Sequence, residues 1–198
     1  MMTPPRPDLD GPAETRWPER PFCGRPSDSL DSGGCPGVVV DGHADCLAHL
    51  DHIDRAAYLT SLAPWADVDH RGTSFTPELL RELLEALKDP DTSRARFGHA
   101  GFDGATFTGR AAFDDATFTG HAGFREATFT ADADFAKATF ARAARFDDAT
   151  FTNRAEFRKA TFTGPAYFDD VTFAPYPFLP AGARYPVVPP PRRPFLDT

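Results

Sequence analysis

Phenylalanine recurs along the middle of this chain at a spacing that few folds can accommodate. It stands at Phe97, Phe102, Phe107, Phe113, Phe118, Phe124, Phe129, Phe135, Phe140, Phe146, Phe151, Phe157, Phe162, Phe168 and Phe173. The steps are 5, 5, and then 6 and 5 in strict alternation. Ala lies two residues before each of these Phe, except that Val171 precedes Phe173. As 11-residue units the chain reads ATFTGRAAFDD, ATFTGHAGFRE, ATFTADADFAK, ATFARAARFDD, ATFTNRAEFRK, ATFTGPAYFDD. An α-helix needs inward residues at steps of three and four, so helix is excluded here. One long strand needs even steps throughout. A short extended side, Ala-x-Phe, puts both apolar residues on one side of the backbone. Two or three corner residues rich in Gly, Asp, Asn and charge then turn the chain. Repetition of that unit makes a solenoid filled with Phe rings and Ala.

These residues resemble the pentapeptide-repeat family, whose unit has a bulky Leu or Phe at its centre and a small residue, usually Ala, two positions earlier. The resemblance covers residues 95–174. It departs from the family pattern in one respect: every second unit has six residues, as between Phe107 and Phe113. The resemblance implies a mainly β fold, a right-handed quadrilateral β-helix with four short sides per coil. Two 11-residue units then make a 22-residue coil. Residues 97–173 become three and a half coils, a rod of roughly 17 Å at about 4.8 Å per coil.

A short solenoid exposes two apolar ends, and terminal repeats need caps. Residues 22–94 have the pattern of a small α-helical N-terminal cap. Ala44–Leu62 carries Leu47, Leu50, Ile53, Ala57, Tyr58 and Leu62 at helical steps. Thr76-Pro77-Glu78 opens a second helix, with Thr as N-cap, Pro in the first turn and Glu at the positive end of the dipole. Leu79, Leu80, Leu83, Leu84 and Leu87 form its stripe, and Asp89-Pro90 ends it. Between the helices, Ala66-x-Val68 and Thr73-x-Phe75 imitate the repeat, so a degenerate half-coil interrupted by the second helix is expected. Residues 1–21, rich in Pro and acidic groups, are expected to be disordered. The tail 175–198 holds a Pro-Pro-Pro-Arg-Arg-Pro run that favours polyproline II. It is expected to lie partly over the last coil through Phe178, Leu179, Tyr185 and Phe195.

Candidate chemistry concentrates in the front segment. Cys46 and His49, at i and i+3 of the expected first helix, can face one ion, with Cys23 and Cys35 supplied by the loop before it. Three Cys and one His are an accepted tetrahedral zinc set. The Cys spacings of 12 and 11 lack the tight knuckle that marks most zinc sites. His43 is a neighbour of that set, whereas His52 and His70 show no partner in the sequence and are expected in solvent. No G-x-S-x-G, phosphate-binding Gly loop or H-E-x-x-H occurs. The pairs Asp114-Asp115, Asp147-Asp148 and Asp169-Asp170 follow Phe at corners and are expected to be solvated turns. Thr106/Thr108 and the equivalent pairs flank every second Phe. A 22-residue coil divides them between two opposite faces, which disfavours a single ice-binding plane.

Charge narrows the partners. The chain has 198 residues, 21 Lys+Arg and 29 Asp+Glu, for a formal net charge of -8. Residues 1–94 carry 9 and 17 of these, net -8, and residues 95–174 carry 9 and 11, net -2. With no basic surplus, direct nucleic-acid binding is not expected. No apolar run of membrane length occurs. MMTPPRPDLDGP lacks the apolar stretch of a secretory signal, and three Cys make an odd set; a reduced, cytoplasmic setting is expected. The function expected is a non-catalytic, rigid scaffold for a protein partner. Two alternatives stand beside it. One is a zinc-containing regulatory module carried on the solenoid. The other follows from the resemblance: some pentapeptide-repeat proteins mimic a DNA duplex and act on type II topoisomerases such as gyrase. That activity requires a long, strongly negative rod.

Overall fold

The structure, a computed structural model, describes residues 19–26 and 34–173. The expectations for residues 1–18 and for the tail, with Phe178, Leu179, Tyr185 and Phe195, lie outside the described residues. Of the start that was expected to be disordered, residues 19–21 are placed, and Arg20 pairs with Asp41 at 3.2 Å.

The repeat forms four parallel sheets, one per face of a quadrilateral β-helix. The first face stacks Val68–Asp69, Ala100–Gly101, Ala122–Gly123, Ala144–Arg145 and Ala166–Tyr167. The second stacks Ser74–Phe75, Thr106–Phe107, Thr128–Phe129, Thr150–Phe151 and Thr172–Phe173. The third stacks Ala111–Ala112, Ala133–Asp134 and Ala155–Glu156. The fourth stacks Arg94–Phe97, Thr117–Phe118, Thr139–Phe140 and Thr161–Phe162. Thr128 pairs with Thr150 and Phe129 with Phe151, so the coil is 22 residues. Each Phe lies under its counterpart one coil on. Phe107 and Phe129 stack at 4.7 Å, Phe113 and Phe135 at 5.1 Å, and Phe124 and Phe146 at 4.9 Å. Neighbouring columns meet edge to face, as ring quadrupoles favour. Phe97 through Phe151 are fully buried. Phe157, Phe162 and Phe168 are half-buried and Phe173 is 49 % exposed, because no described coil follows them.

The 5/6 alternation corresponds to two kinds of corner. In the five-residue steps the residue two after Phe turns left-handed: Asp115, Glu126, Lys137, Asp148, Lys159 and Asp170 have φ of 56 to 59°. Such a φ costs an L-residue about 1–2 kcal/mol. The turn is closed by Ala116 N–H donating to the Phe113 carbonyl, and Asp115 N–H continues the ladder to Ala136. In the six-residue steps the extra residue widens the corner, and the Thr after Phe braces it. Thr119, Thr130, Thr152 and Thr163 donate through both N–H and Oγ1 to the Phe carbonyl one coil back. One hydroxyl of each of these Thr-x-Thr pairs is thus engaged with the backbone.

The front segment caps the first coil, with two departures from the sequence expectation. The first helix, α1, runs only over His52–Ser61, capped by Asp51, whose side chain accepts from the N–H of Ile53 and Asp54. Residues 46–50 form a separate turn before it, and Ile53 is 66 % exposed. The second helix, α2, spans Pro77–Ala86 with Thr76 as N-cap. It occupies the place of the third face and buries Leu79, Leu80 and Leu83. Lys88–Asp89 then pairs antiparallel with Arg94–Ala95 and returns the chain to the fourth face.

The degenerate half-coil is present, two residues out of the expected phase. Val68 pairs with Ala100, so the inward pair is Val68-x-His70, not Ala66-x-Val68. Thr73-x-Phe75 follows, with Phe75 stacked on Phe107 at 5.3 Å. His70 therefore sits where the repeat places Phe. It is fully buried rather than solvated, packed edge-on to Tyr58 and Phe75. Tyr58 Oη and His70 Nε2 are 3.2 Å apart, whereas Nδ1 has no partner among the described residues.

Burial holds the His70 pKa down at about 4, with Asp69 opposing and Arg20 assisting. The unfolded imidazole binds its proton near the ordinary 6.5. Its stability contribution is therefore intact above that value and lost as pH falls from 6.5 to 4, by about 3 kcal/mol. In His70→Phe this acid slope is expected to vanish, and the cap should gain about 1–3 kcal/mol as the orphaned nitrogen disappears. Urea unfolding of both proteins across that range checks it; parallel curves would refute the buried neutral imidazole.

Candidate metal centre and the surface of the solenoid

The front of the cap is a small antiparallel contact between residues 21–25 and 35–39. Cys23 N–H donates to the Gly37 carbonyl, Gly24 N–H to Cys35, and Cys35 N–H to Arg25. This brings Cys23 and Cys35 together although 12 positions separate them. The Cys46 turn closes over the pair, with His49 N–H and Leu50 N–H both donating to the Cys46 carbonyl. Gly37 has no room for a side chain, since a Cβ there would lie 2.8 Å from the Cys46 sulfur.

Four donor atoms converge: Sγ of Cys23, Cys35 and Cys46 and Nδ1 of His49, all within 4.8 Å of one another. Cys35 and Cys46 sulfurs are 3.7 Å apart, and His49 Nδ1 is 3.3 Å from Cys23 and 3.4 Å from Cys46. A tetrahedron with bonds of about 2.3 Å to sulfur has edges near ~3.8 Å. The three cysteines are free thiols. Burial, and then the neighbouring Cys35, push the Cys46 thiol up to about 12. Asp45 lies 3.6 Å from the Cys23 sulfur and is held low by its bonds to Arg25. The cluster can hold a metal ion. His43 is not part of it: its ring lies 3.6 Å from Asp54. Cys46 and His49 reach the cluster from the turn, not from a helix as expected.

The cluster is joined to the first coil. Val38 N–H donates to the Arg71 carbonyl. Gly72, at φ +67°, lies so close that a Cβ would stand 2.3 Å from the Pro36 carbonyl oxygen. Val40, Leu47 and Leu50 belong to the same buried core as the Phe stack.

Apart from the buried Asp69, His70 and Thr73 of the first half-coil, the polar groups of the described solenoid lie at or near its surface. Asp147 accepts from Asp169 N–H at 3.3 Å and faces Arg125 at 3.6 Å. Asp115 lies between Arg94 at 3.2 Å and Lys137 at 3.3 Å. These carboxylates stand in paired corners, with no acid/base geometry between them. No sequence motif singles out His99 and His121, whose rings stack at 5.4 Å on one corner beside Asp67 and Arg142. Their only signal was the 22-residue repeat itself. His121 N–H donates to His99 Nδ1, so that nitrogen serves the backbone. No helix among the described residues is long and apolar enough to cross a membrane.

Residues 93–139 and 135–176 match the family model for pentapeptide repeats, in nine copies. Neither a curated protein nor a solved structure matches the chain.

Proposed function

Since residues 93–176 place this chain in the pentapeptide-repeat family, we propose that it is a non-catalytic scaffold, a rigid repeat rod that presents its outer faces to a protein partner, with an N-terminal cap held by structural zinc. The observation that carries the scaffold reading is how the rod uses its inward positions. From Phe97 to Phe151 each is a buried Phe or Ala, so that stretch of the interior presents no polar side chain to do chemistry. Outward residues repeat every 22 positions and so form straight ladders about 4.8 Å apart. A partner that docks on such ladders meets a surface preordered by the stack, which reduces the entropy lost on binding.

Zinc fits the donor set best, because soft thiolates with one imidazole in a tetrahedron select it. Four protein donors leave no open coordination position, so the role is structural rather than hydrolytic. The zinc-module alternative therefore merges with the scaffold as its cap. The DNA-mimic alternative fits less well. One corner carries Asp147, Asp148, Asp169 and Asp170, but another carries Lys137, Arg158 and Lys159, whereas a duplex mimic needs negative charge along its length. A reduced, cytoplasmic setting is consistent with three free thiols.

Affinity capture with the intact chain and with residues 1–94 removed tests where the partner binds. Partners retained by the rod alone support the scaffold; loss of every partner on truncation would move the function to the cap. Protection of gyrase by the purified protein would favour the mimic instead.

A further inference from the structure

The three sulfurs of the Cys/His cluster differ in their access to solvent. Cys35 and Cys46 are buried, whereas Cys23 is only half-buried. All three lie within 4.8 Å of one another, and Cys35 and Cys46 are 3.7 Å apart. A fixed charge pair stands beside Cys23. The exposed Arg25 donates to both carboxylate oxygens of Asp45, and Asp45 Oδ1 lies 3.6 Å from the Cys23 sulfur. Three thiolates around a divalent zinc leave one negative charge in excess, so the sulfurs stay electron-rich and nucleophilic. A solvent-accessible thiolate next to a second cysteine is the arrangement that peroxides oxidise reversibly, because the neighbour captures the first product.

We infer, resting on the zinc reading above, that this cluster is a peroxide-responsive switch: Cys23 reacts first, joins Cys35 or Cys46 in a disulfide, and so releases the zinc and opens the cap. In the first step the Cys23 thiolate attacks hydrogen peroxide. An S–O bond forms and the O–O bond breaks; the sulfur gives up two electrons, and the peroxide leaves as hydroxide, which takes a proton from water. Arg25, which interacts electrostatically with Cys23, favours that departing charge. In the second step the thiolate of Cys35 or Cys46 attacks the Cys23 sulfur. An S–S bond forms, the S–O bond breaks, and a second hydroxide leaves and is protonated. The two sulfurs close from within 4.8 Å to about 2.05 Å. Two of the four donors are then withdrawn, and one thiolate with His49 is too small a set for a structural zinc. The effect reaches the solenoid through the segment that the ion holds. Val38 N–H donates to the Arg71 carbonyl, and Val40, Leu47 and Leu50 pack into the core of the Phe stack. A dithiol reductant reverses the disulfide and lets zinc return.

Hydrogen peroxide added to the intact zinc-loaded chain tests the switch. Zinc release is followed with a chromogenic chelator, the disulfide by peptide mass mapping under non-reducing conditions, and the cap by exchange of the Val38 and Val40 amides. Release of the ion, a disulfide that includes Cys23, and faster exchange of both amides are expected together, and dithiothreitol with added zinc should restore the protection. Cys23→His keeps four donors of accepted zinc-binding type but has no thiol at the accessible position. It should hold zinc and release it at least roughly tenfold more slowly under peroxide. Retention of zinc by the intact chain under peroxide would overturn the switch. So would a Cys35–Cys46 disulfide with Cys23 still a thiol, or equal zinc loss from Cys23→His. A purified protein without zinc would remove the metal reading alone: a Cys23 disulfide formed in it under peroxide would still support the thiol switch, and its absence would overturn that as well.

Discussion

Phe135→Asp is expected to unfold the central coils, whereas Phe173→Asp should leave them intact. Phe135 lies between Phe113 at 5.1 Å and Phe157 at 5.0 Å and meets Phe124 and Phe146 edge-on. Removing a buried Phe costs about 3–5 kcal/mol. Placing an ionised carboxylate among rings with no donor nearby adds several kcal/mol more. The total approaches the whole stability of an ordinary domain, about 5–15 kcal/mol. In a solenoid each coil touches only its neighbours, so a break in the middle separates the stack into two short pieces with new apolar ends. Among the described residues Phe173 stacks on Phe151 alone, and it is 49 % exposed, so a charge there reaches water. Circular dichroism and thermal melting of the two variants give the contrast directly. Equal behaviour would mean that the middle rings do not carry the rod.

The rod was legible because its code is redundant. Phe and Ala repeat in phase through every 11-residue unit, and the four-sided coil that the family resemblance implies turns two such units into the 22-residue coil. The first half-coil was harder, since it occurs once and uses His70 where the others use Phe. A pattern sought among apolar residues skips an imidazole, which moved the expected inward pair from Val68-x-His70 to Ala66-x-Val68. The beginning of α1 failed for a different reason. Leu47, Leu50 and Ile53 have helical spacing, but Asp51 binds the N–H of Ile53 and Asp54 and starts the helix there, while the Cys46 turn is folded toward Cys35. The Cys/His set was visible only as residue types. Its spacings of 12 and 11 carry no local signal, because a strand-like contact between residues 21–25 and 35–39, rather than a short knuckle, brings the sulfurs together. That contact is a tertiary feature, so the four donors could be nominated from the sequence but not assembled from it.

Removing the proposed zinc, or making Cys46→Ser, is expected to release the N-terminal cap while the later coils keep their β signal. A four-ligand zinc site in a small module contributes on the order of 10–16 kcal/mol of apparent binding energy that is also folding energy. The segment it holds has little else. Among the described residues it contributes Val38, Val40, Leu47 and Leu50 to the core and a few backbone bonds to the first coil. Without the ion, three thiols and an imidazole are left within 4.8 Å of one another, and two of the sulfurs are buried. The cap should then open, and the first coil should lose the cover over His70 and Phe75. Exchange of the Val38 and Val40 amides should accelerate to the unfolded rate, while Phe124 and Phe135 amides remain protected. Purified protein should carry one zinc per chain, lost in Cys46→Ser and retained in His43→Ala, because His43 faces Asp54 rather than the sulfurs. If protein prepared with zinc contained none, or if a chelator left the cap amides protected, the four side chains would be a packed thiol cluster, and the cap would owe its stability to Leu47, Leu50 and α2 alone.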